Sequence, residues 1–380
     1  MSTSDQSAAS LAALTDAARV VVKIGSSLLI DSESGALNRD WLEALVSEIA
    51  AMMAAGQQVL LVSSGAIALG QSYLEMDSGQ RRLEQLQAAA AAGQIILANA
   101  YQELLDAHGL KVAQVLLTPE DTEDRRRYLN ARSTLETLLS LGVLPVINEN
   151  DTVATQEIRY GDNDRLGARV AEMISADCMV LLSDVDGLYD AEPGSDGAQL
   201  IPVVTEITPE IEAVAGNTRT AFGSGGMATK VAAARICMSA GCATVIADGH
   251  RKRPLASVSG GGACTWFLPS SSPLAARKQW IAGTLQPSGS LHIDAGAENA
   301  LQAGSSLLPV GVRTVEGTFA RGDAVDVVFE GRAIARGLIV YDSHEASLIS
   351  GCRSADIEAK LGYQGRNEII HRDNLVLLNN

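Results

Sequence analysis

The sequence predicts an α/β protein in which a mostly parallel sheet is sandwiched by helices and is followed by a small β-barrel domain. From residue 19 to about 268, short β-branched runs alternate with longer amphipathic or alanine-rich stretches. This order is typical of a parallel sheet with helices on both faces. The pattern changes at the Pro/Ser run Pro269–Pro273, and short alternating segments divided by glycines follow it. That spacing favours a small barrel.

Six strands are predicted in the larger part. The runs are short and rich in Val, Ile and Leu, which is typical of strands buried on both faces. They are Arg19–Ile24, Gln58–Ser63, Lys111–Leu117, Val143–Asn148, Cys178–Ser183 and Ala243–Ala247. Helical spacing of apolar residues between them predicts helices near residues 39–55, 81–107, 131–140, 164–175 and 227–240. The alanine run at 88–92 indicates a helix that packs closely on a neighbour.

The C-terminal part predicts five short strands and two short helices. The strands are at residues 290–293, 311–315, 324–329, 333–339 and 374–378, and the helices are near 295–302 and 356–361. The expected organisation is a disordered tail at 1–17, a catalytic domain at 18–268, a linker at 269–277 and a barrel domain at 278–380.

Composition and charge argue against a nucleic-acid-binding, membrane or secreted protein. The formal net charge of −16 disfavours nonspecific binding to nucleic acid or to an anionic membrane. The chain has no apolar run of about 18 residues and no signal peptide pattern, so we expect a soluble cytoplasmic protein. The five cysteines and five histidines show no metal-ligand spacing. We therefore expect reduced core cysteines, non-catalytic histidines and no metal site built from these cysteines and histidines.

Four Gly/Ser-rich turns predict phosphoryl transfer. They are Val21–Ser27, Val62–Ala66, Gly161–Asp164 and Gly223–Lys230. Each follows a strand or opens a helix, so the turns are expected at one edge of the sheet. Glycine permits close backbone approach, successive N–H groups attract an anion and lysine adds positive charge. The chain has no Gly-Lys pair, which excludes a P-loop.

Three motifs also have other structural or functional interpretations. The polar stretch Asn148–Asp151 suits helix capping, an ammonium site, Mg²⁺ coordination or the positioning of the lysines. Ser183 and Asp184 suit a nucleotide base or ribose, although Asp186-Gly187 also predicts a simple turn. The segment Gly223–Lys230 matches the dinucleotide pattern G-x-G-x-x-A, but no apolar strand precedes it.

Taken together, these motifs resemble the amino acid kinase superfamily, and within it the bacterial enzymes that phosphorylate L-glutamate. The most specific matching segments are Val21–Ser27, Val62–Ala68, Pro145–Asp151, Gly161–Asp164 and Gly225–Lys230, and the resemblance covers nearly the whole chain. The C-terminal part is similar to a PUA domain through Gly304–Pro309 and Arg321–Asp323.

The resemblance implies the amino acid kinase fold and an ATP- and Mg²⁺-dependent transfer of phosphate to the side-chain carboxylate of L-glutamate. The product is L-glutamyl 5-phosphate, made in the first step of proline biosynthesis. It further implies proline as a feedback inhibitor and a homo-oligomer, either a dimer or a tetramer.

The resemblance also assigns roles to residues. Lys23 and Lys230 would stabilise the transferring phosphoryl group, and Asp164 would hold both lysines in place. The glutamate site would contain Ser64, Asp151 and Asn163. The nucleotide site would contain Lys23, Gly25, Ser183, Asp184, Ser224, Gly225, Gly226, Met227, Ala228, Thr229 and Lys230.

Two alternatives compete with this interpretation. Within the superfamily the substrate could be acetylglutamate, aspartate, carbamate or UMP. In a different class, the protein could bind RNA through the PUA-like domain. From Lys278 to the end the chain carries nine Lys/Arg and twelve Asp/Glu, and this acidic balance makes RNA an unfavourable partner.

Overall fold

The computed structural model describes residues 12–31, 34–76, 82–153, 163–193, 195–217, 226–283 and 286–378. They fall into two compact units. The first is Met1–Glu123 with Asn130–Pro273, and the second is Asp124–Leu129 with Leu274–Asn380. The domain boundaries expected from the sequence stay a prediction. Within the described ranges, every helix is too short or too polar to cross a bilayer.

The sheet of the first unit confirms the predicted fold class. Its strand order is β3-β4-β2-β1-β5-β7-β8-β6. All pairs from β3 to β7 in this order are parallel, and β8 runs antiparallel to β7. The strands are β1 (Arg19–Ile24), β2 (Gln58–Ser63), β3 (Lys111–Leu117), β4 (Val143–Glu149), β5 (Cys178–Ser183), β6 (Val203–Val204), β7 (Ala243–Asp248) and β8 (Cys264–Phe267).

Burial separates the central strands from the edge. Strands β1, β2, β4, β5 and β7 are almost entirely buried, as predicted. The prediction is wrong for β3, which is mostly exposed or half-buried. Among the described strands, β3 pairs only with β4 and lies at the edge of the sheet, and an edge strand is less covered than a central one. The two short strands β6 and β8 were not predicted.

The helices along residues 26–259 include the five predicted ones. They are α1 (Ser26–Leu29), α2 (Arg39–Ala54), α3 (Ala66–Tyr73), α4 (Leu83–Asp106), α5 (Pro119–Glu123), α6 (Arg125–Ser140), α7 (Asn163–Met173), α8 (Pro209–Asn217), α9 (Met227–Ser239) and α10 (Pro254–Ser259). Helix α6 begins at Arg125, well before the predicted start at 131. The disordered tail predicted at 1–17 is wrong from residue 12 on, because residues 12–15 are helical and Leu14 and Ala17 are buried. Residues 1–11 lie outside the described residues.

Helices α3 and α4 pack backbone against backbone, which explains the alanine run. A Cβ added at Gly70 would lie 1.7 Å from the Ala89 carbonyl oxygen, and one added at Gly93 would lie 1.7 Å from the Ala66 carbonyl oxygen. Side chains larger than hydrogen have no room at these two positions. The expectation of a closely packed alanine-rich helix is confirmed.

We expect Gly93→Ala to lower the free energy of unfolding by about 1–3 kcal/mol. The added Cβ overlaps with backbone atoms, so the two helices must separate to make room for it. Urea unfolding followed by circular dichroism measures the loss. The matched control is Gly216→Ala in α8, where an added Cβ meets no atom of the described residues within 4 Å. Equal unfolding midpoints for the two variants would contradict the close packing of α3 on α4.

The second unit has its own five-stranded sheet, in the order β10-β9-β11-β12-β13. Its strands are β9 (Gly289–Ile293), β10 (Val312–Gly317), β11 (Ala324–Phe329), β12 (Arg332–Leu338) and β13 (Leu375–Leu377), and the helices here are α11 (Pro273–Gly283), α12 (Ala295–Gln302), α13 (Ser343–Ile349) and α14 (Ile357–Leu361). Helix α13 was not predicted. Part of the predicted linker at 269–277 is helical, since α11 begins at Pro273, and proline is well suited to the first turn of a helix.

Candidate active site

A cleft of about 800 Å³ opens at the carboxyl edge of the sheet in the first unit. It lies at the ends of β1 and its two neighbours, β2 and β5. The chain continues from β1 to β2 on one side and returns to β5 on the other, so β1 marks the point where the strand order reverses. Open α/β sheets bind ligands at such a point.

Two lysines and one aspartate form the centre of the cleft. Lys23 is on β1, Asp164 is in the first turn of α7 and Lys230 is in the first turn of α9. The Lys23 Nζ lies 2.6 Å from Asp164 Oδ1, and the Lys230 Nζ lies 3.3 Å from Asp164 Oδ2. All three side chains are at least nine-tenths buried. The structure therefore brings together the three residues that sequence analysis placed in catalysis.

The position of Asp164 between the two lysines determines its ionisation state. Burial acts to raise the pKa of Asp164, but the ammonium groups of Lys23 and Lys230 outweigh it and hold that pKa at about 2. The carboxylate is ionised at neutral pH for this reason. One negative charge between two positive charges leaves a net positive centre in a protein that is strongly acidic as a whole.

A glycine lets α7 approach β1, and a hydrogen bond connects α9 to α7. A Cβ at Gly167 would lie 2.6 Å from Met179 Cε and 3.6 Å from Lys23 Cβ, so α7 lies directly against β1 beside the Lys23 stem. On α9, Thr229 Oγ1 donates to Asp164 Oδ2 at 2.9 Å. The sequence analysis assigned Thr229 to the nucleotide site, and the structure adds this bond to the central carboxylate.

Asn163 joins the ends of two strands. Its Nδ2 lies 3.1 Å from the Ser63 carbonyl oxygen, 2.8 Å from Ser64 Oγ and 2.9 Å from Asn148 Oδ1. Its Oδ1 is buried and has no hydrogen-bond partner among the described residues. This oxygen can accept a hydrogen bond from a ligand. Asn148 was noted only as part of a polar stretch, and its position near the carboxyl end of the apolar strand β4 was the signal for its role.

Asp151 adds a carboxyl group to the same cleft. It opens a short 3₁₀ turn, Asp151–Val153, after β4, and it is buried. Burial raises its pKa to about 6. Within the described part of the chain, no Lys or Arg forms an ion pair with this carboxyl group, so a bound cationic group would favour its charged form.

A second side of the cleft is suited to a nucleotide. Ser183 Oγ donates to Asp184 Oδ1 at 2.9 Å at the end of β5. An adjoining small pocket is lined by Asp184, Leu188, Tyr189, Pro193, Met227 and Lys230. Sequence analysis missed Leu188 and Tyr189, although they follow the Asp186-Gly187 turn that it noted.

The glycine-rich segments flank this side. Gly25 lines the cleft and precedes α1. Gly226 is the N-cap of α9, and Met227, Ala228, Thr229 and Lys230 form the first turn of that helix. Ser224 and Gly225, which were also assigned to the nucleotide, lie outside the described residues, as do Gly161 and Asp162.

Comparison with known proteins agrees with this geometry. The sequence pattern of the amino acid kinase family matches residues 18–248, and that of the PUA domain matches residues 289–361. Glutamate 5-kinase from Rhodospirillum rubrum is 59% identical over 359 residues, which cover 94% of this chain and 96% of that protein. Glutamate 5-kinase from Paramagnetospirillum magneticum is 57% identical over 366 residues, 96% of this chain and 99% of that protein.

A third relative, glutamate 5-kinase 1 from Rhizobium meliloti, is 57% identical over 367 residues, which cover 96% of this chain and 93% of that protein. The similarity thus extends through both units and includes every segment that forms the cleft. The chain belongs to the amino acid kinase family and carries a PUA domain after its kinase domain.

Proposed function

We propose that this protein transfers the γ-phosphoryl group of ATP to the side-chain carboxylate of L-glutamate, producing L-glutamyl 5-phosphate and ADP for proline biosynthesis. The observation that carries the proposal is the buried Lys23–Asp164–Lys230 centre in the cleft, in a chain that matches glutamate 5-kinases along almost its whole length.

The chemistry needs positive charge and alignment more than proton transfer. A carboxylate nucleophile is already ionised at neutral pH, so no general base is required. Phosphoryl transfer then depends on bringing the two substrates into line and on stabilising charge on the transferring group. Lys23 and Lys230 supply that charge, and Asp164 holds their ammonium groups at fixed positions.

The polar residues beside this centre have the chemistry needed to bind an amino acid. The unpaired Oδ1 of Asn163 and the carboxylate of Asp151 would accept hydrogen bonds from the α-ammonium of glutamate. Because Ser64 Oγ accepts from Asn163, its hydroxyl hydrogen is available to a substrate carboxylate. These three residues are the glutamate site in this proposal.

The nucleotide would occupy the other side. The N-terminus of α9 attracts phosphate through its backbone N–H groups, and Lys230 lies in that first turn. Gly25 leaves space beside Lys23, while Ser183, Asp184 and Gly226–Thr229 would contact the rest of ATP. The segment that contains Ser224 and Gly225 belongs to the same proposed site by sequence.

Mg²⁺ enters the reaction with ATP. Among the described residues, no group of three or more His, Cys, Asp or Glu side chains is arranged to hold a metal ion. Mg²⁺ commonly takes its ligands from substrate phosphates and water with few protein groups, and the cleft fits that mode. The ion supplies charge neutralisation on the phosphates, and the two lysines add to it.

The pH dependence of the KM for glutamate should reflect the ionisation of Asp151. Because its pKa is raised to about 6, its carboxyl group gains a proton as the pH falls below that value and loses its attraction for the α-ammonium. We expect the KM for glutamate to rise by about tenfold between pH 7 and 5, while the KM for ATP changes little. Asp151→Asn should raise the KM at pH 7 and flatten this profile. A variant profile as steep as that of the wild type would remove Asp151 from the glutamate site.

We further propose that proline competes with glutamate for this site, that the protein acts in the cytoplasm and that it assembles as a dimer or tetramer. The acidic C-terminal domain does not favour RNA as a partner. Initial rates measured at several proline concentrations test the first of these proposals. A proline effect on kcat alone would contradict direct competition.

The substrate assignment is tested by ADP release from MgATP with L-glutamate, N-acetylglutamate or aspartate. Hydroxylamine is present to trap an acyl phosphate as its hydroxamate. We expect ADP release and hydroxamate formation with L-glutamate alone. Preferred turnover of another acid would keep the reaction class and overturn the substrate, whereas turnover of none of the three would overturn the proposed function.

A further inference from the structure

A second cavity, of about 200 Å³, lies in the first unit between helix α4 and strands β3 and β4. It is separate from the catalytic cleft. Gln94, Leu97 and Tyr101 line it from α4, Val112 and Gln114 from β3, and Val146 and Asn148 from β4. A single water molecule occupies about 30 Å³, so this cavity has room for a small organic molecule.

The cavity contains a buried polar group without a partner. Gln114 Nε2 donates to Gln94 Oε1 at 2.8 Å. Gln94 is only 7% exposed, and its Nε2 has no hydrogen-bond partner among the described residues. Leaving a buried N–H donor unpaired costs about 1–3 kcal/mol. A ligand oxygen beside Gln94 would remove that cost.

The lining defines the chemistry of the occupant. Among the described residues that line the cavity, none is Asp, Glu, Lys, Arg or His. The polar part of the lining consists of the Tyr101 phenol and four amide groups, those of Gln94, Gln102, Gln114 and Asn148, and the apolar part consists of Leu97, Ala98, Val112 and Val146. Amide N–H groups donate to carbonyl or carboxylate oxygens, and the apolar wall suits an aliphatic body.

Asn148 connects this cavity to the catalytic cleft, because it lines both. Its Oδ1 accepts from Asn163 Nδ2 at 2.9 Å. Tyr101, at the same wall, is hydrogen bonded to Ser63 Oγ at 2.9 Å, directly before Ser64. A molecule in the cavity would therefore contact Asn148, which is hydrogen bonded to Asn163, and Tyr101, which is hydrogen bonded to the residue before Ser64.

We propose that this cavity is a second ligand site, which binds a small aliphatic molecule through a carbonyl or carboxylate oxygen and communicates with the glutamate site through Asn148. Occupancy restrains the Asn148 side chain in the orientation in which it accepts from Asn163. Ligand binding and glutamate binding then strengthen each other, as reciprocal coupling between two sites requires. Only the coupling rests on the proposed function.

Binding of two probes, isobutyramide and isobutyrate, to the full-length protein is measured by saturation-transfer NMR. These probes share an aliphatic body and differ in charge, so they distinguish a carbonyl site from a carboxylate site. Gln94→Leu removes the unpaired donor, and Val112→Phe fills the cavity from a different element. Asn99→Leu, on the exposed face of α4, is the matched control.

We expect at least one probe to bind to the wild type and to Asn99→Leu, and to bind at least about tenfold more weakly to the other two variants, a loss equal to about 1.4 kcal/mol. Absence of binding by either probe, or equal binding to all four proteins, would overturn the site. A change of oligomeric state in Val112→Phe, measured by sedimentation, would instead show that a second copy of the chain covers this face.

The coupling is tested by repeating the titration with saturating L-glutamate. We expect the dissociation constant of the probe to fall by at least twofold. An unchanged constant would overturn the link through Asn148. If glutamate itself does not bind, the proposed function fails while the binding result for the second site remains.

Discussion

Replacing Lys230 with alanine should lower kcat by about 10²–10³-fold or more while the protein remains folded, since removal of one preorganised charge from a transition state costs several kcal/mol. Lys230 lies in the first turn of α9 with its Nζ 3.3 Å from Asp164 Oδ2. After the substitution, Asp164 still has Lys23 at 2.6 Å. The buried carboxylate therefore keeps a partner, and the loss is confined to the reaction.

The measurement is steady-state hydroxamate formation with L-glutamate and MgATP, together with thermal unfolding of each protein. Lys111→Ala is the matched control, because Lys111 is exposed at the start of β3, at the opposite end of the strands from the cleft. It should keep wild-type kcat. A folded Lys230→Ala protein with near-normal turnover would remove Lys230 from the mechanism.

Replacing Asp164 with asparagine should reduce both stability and turnover. The change leaves two buried ammonium groups without their shared carboxylate, and breaking a buried ion pair from one side typically costs about 3–5 kcal/mol. Asn is close to Asp in size, so lost packing does not contribute. The lysines also lose their fixed positions, and we expect kcat to fall by at least about tenfold as a result.

The acid dependence of stability separates the charge effect from other causes. The folded-state pKa of Asp164 is about 2, below its ordinary value of 3.8. Its ionised form stabilises the fold by about 2 kcal/mol above pH 4, and this stabilisation is lost as the pH falls from about 4 to 2. Urea unfolding of wild type and Asp164→Asn at several pH values should show a difference that shrinks in this window. A difference that is constant with pH would contradict the electrostatic explanation.

Much of the fold could be predicted because the central strands are continuous apolar runs. Strands β1, β2 and β5 were predicted with the bounds that the structure has, since a strand buried on both faces has a simple pattern. The edge strand β3 was predicted to be buried because its apolar content is similar, and its exposure depends on having a neighbour on one side only. That fact is a property of the strand order and is absent from the local sequence.

The site could be predicted in part for a related reason. Lys23, Asp164 and Lys230 stand beside glycine-rich turns that mark the carboxyl edge of the sheet, so their meeting was foreseeable. The orphan oxygen of Asn163 and the bond from Thr229 to Asp164 depend on side-chain geometry between elements distant in sequence. Short strands such as β6 carried too few residues to produce a periodic pattern, and α11 was missed because it begins at Pro273, inside the Pro/Ser run that predicted a linker.

In the proposed reaction, the side-chain carboxylate of glutamate attacks the γ-phosphorus of ATP within this cleft. L-glutamate labelled with ¹⁸O in that carboxylate tests it most directly. Attack by a labelled oxygen makes it the bridging atom of the acyl phosphate, and hydroxylamine then displaces phosphate at the carbonyl carbon. We expect the released phosphate to carry one ¹⁸O atom, seen as a shifted ³¹P resonance. Phosphate without ¹⁸O would mean that water or another group accepted the phosphoryl group, and it would contradict the proposed reaction.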